Sequence, residues 1–119
     1  MRDFKKLDIW KKSLSFSILI YRITDAFPDK EKFGLIAQLR RASVSLVSNI
    51  AEGSSRKSET DFARFLEISV GSAFEIETQL IICREIGYIS EEQYDSLIES
   101  ILTIQKQINQ LITVIRNNG

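Results

Sequence analysis

The sequence predicts an all-α fold: an antiparallel up-down-up-down four-helix bundle in one domain spanning residues 1–119. Three observations carry this. Apolar residues recur at spacings of three and four through four long segments, which keeps them on one face of a helix. Only one proline, Pro28, stands in the chain, and 44% of residues are hydrophobic against 27% charged, the profile of a helix-rich globular domain. The stretches between the segments are short and carry turn and cap residues, so neighbouring helices must fold back on one another.

The first helix is expected over residues 8–27. Leu7, Trp10, Leu14, Ile18 and Tyr21 form one stripe and Phe16, Leu19, Ile20, Ile23 and Phe27 a neighbouring one, so a broad face should be buried. Pro28 ends the helix, because the residue before a proline is steered out of the helical region. The second helix is expected over 35–52, with Gly53 as a left-handed cap. Plotted at ~100° per residue, it gathers Gln38, Arg41, Ser45, Ser48, Asn49 and Glu52 into one polar strip. The rest is a small or apolar arc interrupted only by Arg40. That arc is wider than the roughly 100° stripe one core contact requires. The helix should therefore bury one side in its own bundle and another against a second copy of the chain, in a cyclic homo-oligomer.

Residues 54–57 connect to a third helix over 58–87, opened by the capping signal of Ser58 with Asp61. Phe62, Phe65, Leu66, Ser69, Ala73, Ile76, Leu80 and Cys83 are its core stripe. Gly71 in mid-helix costs ~1 kcal/mol relative to alanine and predicts close approach by a neighbouring backbone. Ser90 and Gln93 form a capping box for a fourth helix over 90–117. Its stripe of Tyr94, Leu97, Ile98, Ile101, Ile104, Ile108, Leu111, Ile112 and Ile115 lies opposite Asp95, Glu99, Thr103, Lys106 and Gln110.

The residue inventory excludes most enzyme designs. Histidine is absent, which removes His-based acid–base catalysis, Ser–His and Cys–His pairs and the usual zinc sets. Glu75 with Glu77, and Glu91 with Glu92, point in diverging directions on a helix, and a bundle di-metal site needs Glu-x-x-His. No enzyme activity, metal or cofactor is expected. Cys83, the single cysteine, is expected in the core of a protein from a reducing compartment, the cytoplasm. The apolar run 14–21 is interrupted by Ser15 and Ser17, so neither a signal peptide nor a membrane span is expected.

Net charge is zero, yet residues 1–64 hold thirteen basic and eight acidic side chains and residues 65–119 three and eight. Lys5, Lys6, Lys11, Lys12, Arg56, Lys57 and Arg64, with Arg2, would form a phosphate-binding ring if an oligomer repeated them around an axis; an ordinary solvated surface is the competing reading. Trp10, Phe4 and Tyr88 are candidates for stacking on bases or for the core. The strip of Gln38, Arg41, Ser45, Asn49 and Glu52 is either a hydrogen-bonded or solvated face or a ligand surface. Arg40 and Glu77, each inside an apolar arc, either snorkel to water or pair with each other.

Phe33-Gly34-Leu35, Gln38-Leu39-Arg40-Arg41-Ala42, Ser45, Ser48-Asn49-Ile50-Ala51-Glu52-Gly53, Phe62, Phe65-Leu66, Gly71-Ser72 and residues 75–80 together resemble the four-helix bundle family encoded in intervening sequences of 23S ribosomal RNA genes. The likeness runs from Trp10 through Phe27-Pro28 to Gly87-Tyr88. Val47 departs from it, standing where proline is expected, so the second helix should be straighter. The resemblance implies a homo-pentamer, with nucleic-acid binding the usual suggestion, and structural similarity to the basic pentameric accessory protein of diversity-generating retroelements. RNA or an RNA–protein complex is the expected partner. The alternative is a protein-interaction scaffold whose basic N-terminal half docks an acidic protein.

Overall fold

The computed structural model describes residues 2–118. Four helices, α1 (Asp8–Thr24), α2 (Leu35–Ser54), α3 (Glu59–Glu85) and α4 (Glu91–Asn117), are joined by short connections, and two single 3-10 turns, Phe4–Lys6 and Asp29–Glu31, precede α1 and α2. Each helix packs on the next in chain order and α4 returns to α1, while the diagonal pairs α1/α3 and α2/α4 do not approach one another. The bundle measures 46 × 22 × 20 Å, so its two ends are well separated.

The boundaries follow from the local chemistry. α1 stops at Thr24, three residues earlier than the periodicity suggests. Proline ahead keeps Phe27 out of a helix, and the Ala26 and Phe27 N–H groups close short turns onto Ile23 and Thr24. The Glu31 carboxylate accepts from the Leu35 N–H at 3.2 Å and from the Tyr88 hydroxyl at 2.8 Å, tying the start of α2 to the α3–α4 turn. The Tyr88 hydrogen bond, followed by the Leu35 amide, holds the Glu31 carboxyl below its ordinary range. Ser58 caps α3 through the Asp61 N–H, and Ser90 with Gln93 forms the expected capping box on α4.

Two glycines do not take the roles expected of them. Gly53 is not a left-handed cap, since α2 continues through Ser54 and ends with right-handed backbone at Ser55. Its reason is packing: a Cβ there would lie 2.6 Å from the Phe65 Cβ. Gly71, expected to mark close approach, has no heavy atom within 4 Å of such a Cβ. The one left-handed residue among those described is Gly87, which ends α3.

The core is formed by Phe16 and Ile20 of α1, Leu46 and Ile50 of α2, Leu66 and Ile76 of α3, and Ile101 and Ile108 of α4. α2 runs unbroken through Val47. Only one side of α1 is buried within the chain. Leu14, Ile18 and Tyr21, expected in the buried face, are 36%, 43% and 43% exposed.

Candidate nucleic-acid interface

The N-terminal turn brings lysines and arginines to one end, where the acidic Asp3, Asp8, Glu52, Glu59 and Asp61 stand among them. The Arg2 N–H donates to the Ser54 carbonyl at 3.0 Å. Its guanidinium pairs with Glu59 at 2.7 Å and lies 5.0 Å from the centroid of the Phe62 ring. Arg2 is thereby tied to both sides of the α2–α3 connection, which carries Arg56 and Lys57, and exposed Lys5 and Lys6 follow in the Phe4–Lys6 turn that packs on α2. Arg56 pairs with Glu52 at 3.1 Å and stacks 4.7 Å from the Phe65 centroid, and Arg64 pairs with Asp61 at 3.8 Å. Lys5, Lys6, Lys11, Lys12 and Lys57 are exposed and have no ion-pair partner among the described residues. The arginines of this region are therefore paired and the lysines are left to solvent. Such exposed pairs contribute only ~0–1 kcal/mol each, so the arginines can also turn to an incoming phosphate.

The aromatic candidates are engaged within the chain. Phe4 and Trp10 meet edge to face at 5.1 Å, and Phe27 packs on Tyr88 at 5.3 Å.

Two residues of the α2 polar strip, Ser45 and Arg41, lie on the seam with α3. The Ser72 hydroxyl donates to the Ser45 hydroxyl at 2.9 Å, and the Asn49 amide donates to Ser45 Oγ at 3.1 Å and to its carbonyl at 2.8 Å. Arg41 faces Glu75 at 3.6 Å. One turn inward, the buried Ser69 hydroxyl donates to the Leu46 carbonyl at 2.9 Å. Gln38 and Ser48 remain exposed, and Glu52 turns to Arg56.

Arg40 and Glu77 do not pair within the chain. The Arg40 guanidinium reaches out to Asp25 at 2.9 Å, donates to Thr24 Oγ1 and the Tyr21 carbonyl, and lies 4.7 Å from the Tyr21 centroid. Glu77 accepts from the Gln105 amide of α4 at 3.0 Å. Arg40 turns from α2 toward the end of α1 and Glu77 turns from α3 toward α4, so each finds its partner across a different seam.

Features that the sequence reading missed lie outside the core. Ile68 and Ile82 of α3, Ile86 just after it and Val44 of α2 are exposed, as are Leu14, Ile18 and Tyr21. Their helical spacing was visible, but nothing in one sequence says which side of a broad apolar arc faces the chain's own core. The Arg116–Glu67 clamp at 2.6 Å, which holds the Glu67 carboxyl below its ordinary range, also escaped it, since the partners are remote in sequence. A cleft of about 620 Å³ between α1 and α4 was likewise unforeseen. Among the described residues no group of three or more metal-ligating side chains comes together, and no helix is long and apolar enough to cross a membrane.

A four-helix protein with a lysine-bearing end, a bonded α2–α3 seam and exposed apolar side chains belongs to the class of all-helical bundle proteins. The family follows from the comparison with known proteins. The chain matches the 23S rRNA-intervening sequence protein family over residues 5–110 and belongs to it. It is similar to a solved structure from Bacteroides thetaiotaomicron VPI-5482, described as a protein with unknown function from the S23 ribosomal protein family. The two share 29% identity and a TM-score of 0.82, covering 88% of this chain and 95% of that one. No curated protein matches the chain.

Proposed function

We propose that this chain is a non-enzymatic scaffold that assembles as a cyclic homo-oligomer, a pentamer, of antiparallel up-down-up-down bundles and binds RNA through its basic end. The observation that carries the RNA reading is the gathering of exposed, unpaired Lys5, Lys6 and Lys57 at one end by the Arg2–Ser54 and Arg2–Glu59 contacts. Repeated around an axis, such a cluster becomes an extended positive field that gains affinity by releasing counterions from phosphates.

Antiparallel packing is supported by the cross-helix pairs. Leu46–Ser69, Ser45–Ser72 and Arg41–Glu75 descend along α2 as they ascend α3, and Glu67–Arg116, Glu77–Gln105 and Arg84–Glu91 do the same between α3 and α4. Assembly is supported by the exposed Leu14, Ile18, Tyr21 and Val44, since contiguous apolar surface on a bundle marks an interaction face. Absence of histidine supports a non-catalytic role. Burial, with a smaller contribution from Glu31, pushes the Cys83 thiol up to about 11, which suits a structural residue in a cytoplasmic protein.

The test is fluorescence anisotropy with structured RNA, duplex DNA and single strands across a salt series, with native mass spectrometry for subunit number. Binding with a steep negative salt slope, weakened by Lys57→Glu and Lys5→Glu, is expected. No binding at low salt would overturn the RNA reading and leave a protein-interaction scaffold docking an acidic partner. A strictly monomeric species at micromolar concentration would overturn assembly.

A further inference from the structure

The seam between α1 and α4 differs from the other three. Side-chain hydrogen bonds or ion pairs cross α1/α2 (Ser17–Ser43), α2/α3 (Ser45–Ser72) and α3/α4 (Glu67–Arg116), but among the described residues none crosses α1/α4. The 620 Å³ cleft lies there, within the roughly 300–1,000 Å³ range of ligand pockets. Lys11, Lys12 and Ser15 enter it from α1, and Ser96, Glu99 and Ser100 from α4. Lys11, Lys12 and Glu99 share this cleft yet none has an ion-pair partner among the described residues. The other lysines are likewise unpaired among the described residues, so it is the cleft that sets Lys11, Lys12 and Glu99 apart, by placing both signs around one opening.

The geometry points to a ribose-phosphate site: Lys11 and Lys12 take a phosphate, and Glu99 accepts a hydrogen bond from a ribose hydroxyl. Two lysines alone would suit any anion, but a carboxylate in the same cleft repels one unless the ligand also offers it a donor. A ribose diol is such a donor, and an acidic side chain on a ribose 2′-hydroxyl is an established way to hold nucleotides. Ser15, Ser96 and Ser100 supply further hydrogen bonds, and half-exposed Leu19 gives the base an apolar side. Because DNA lacks the 2′-hydroxyl, the site selects ribonucleotides. The inference deepens the RNA reading and rests on it for its biological ligand, but the site itself stands on the cleft.

Isotope-labelled full-length protein titrated with 5′-AMP and with 2′-deoxy-5′-AMP, followed by amide chemical shifts, tests it directly. Expected are shifts concentrated in residues 11–19 and 96–104, with AMP bound about tenfold more tightly than its deoxy counterpart. Glu99→Ala should erase that ratio, and Lys12→Ala should weaken both nucleotides alike. Equal affinity for the two, shifts elsewhere, or a ratio unchanged in Glu99→Ala would overturn the site. Polymer RNA binding without a nucleotide response in the cleft refutes this inference and leaves the basic-end reading standing. A cleft response without polymer binding at any salt does the reverse.

Discussion

Between α2 and α3 the helices are held by Ser45–Ser72, Ser69–Leu46 and Arg41–Glu75, and they come close enough at Gly53 that a methyl group would collide with Phe65. Between α4 and α1 no side-chain bond crosses among the described residues, and a cleft remains. The first seam is a spine, where polar groups satisfy one another and tight packing fixes the register. The second leaves its polar groups to solvent or to a ligand. Residues that carry binding are thus to be sought where the bundle is least closed, not where its polar residues are densest.

Truncation on either side of that contrast should differ most. Leu46, fully buried beside the Ser69 bond, should cost ~2–5 kcal/mol as Leu46→Ala. Leu19, half-exposed in the α1–α4 cleft, should cost less than ~1 kcal/mol as Leu19→Ala. Urea denaturation of both variants decides it, and equal losses would mean that the two seams are equally structural. Gly53→Ala comes next. Its methyl would stand 2.6 Å from Phe65 Cβ and 3.0 Å from Phe62 Cδ1, so overpacking of ~1–3 kcal/mol should outweigh the helix-propensity gain of ~1 kcal/mol. A stabilised Gly53→Ala would show that the spine yields.

Acid should loosen the bonded seams first. Glu67 bonded to Arg116 and Glu31 bonded to Tyr88 both have carboxyls held below the ordinary 4.5. A carboxyl depressed in the folded state contributes stability that is present above its unfolded value and lost as pH falls through the folded one. Melting temperature should therefore fall below pH 4.5. The fall should be shallower in Glu31→Gln, whose single carbonyl oxygen keeps one of the two acceptor positions and whose amide does not titrate. An unchanged slope would remove Glu31 from the acid response.

Much of the fold was legible because its signals are local. Pro28, the Ser58 cap, the Ser90–Gln93 box and the stripes of α3 and α4 each act within a few residues, and the structure has them in place. What was not legible is relational. Periodicity gives a direction around one helix but not the neighbour that lies there, so Arg40 was weighed against Glu77 although Asp25 stands in reach. The same gap hid the α1–α4 cleft, since Lys11, Lys12 and Glu99 carry no joint pattern in sequence and meet only when the last helix returns to the first.

Gly71 separates the chain's own needs from those of an assembly. Inside the chain it has no packing reason, because a Cβ there meets nothing within 4 Å. Alanine in its place should raise the stability of the dissociated chain by up to ~1 kcal/mol through helix propensity. If a second copy brings backbone against this point of α3, near exposed Ile68, the same methyl should lower the oligomeric fraction. Denaturation of the dissociated chain and native mass spectrometry of Gly71→Ala read the two effects separately. A stabilised chain with weakened assembly places an interface on α3. A stabilised chain with intact assembly moves it to the Leu14, Ile18 and Tyr21 face of α1, whose apolar side chains then have that contact as their reason.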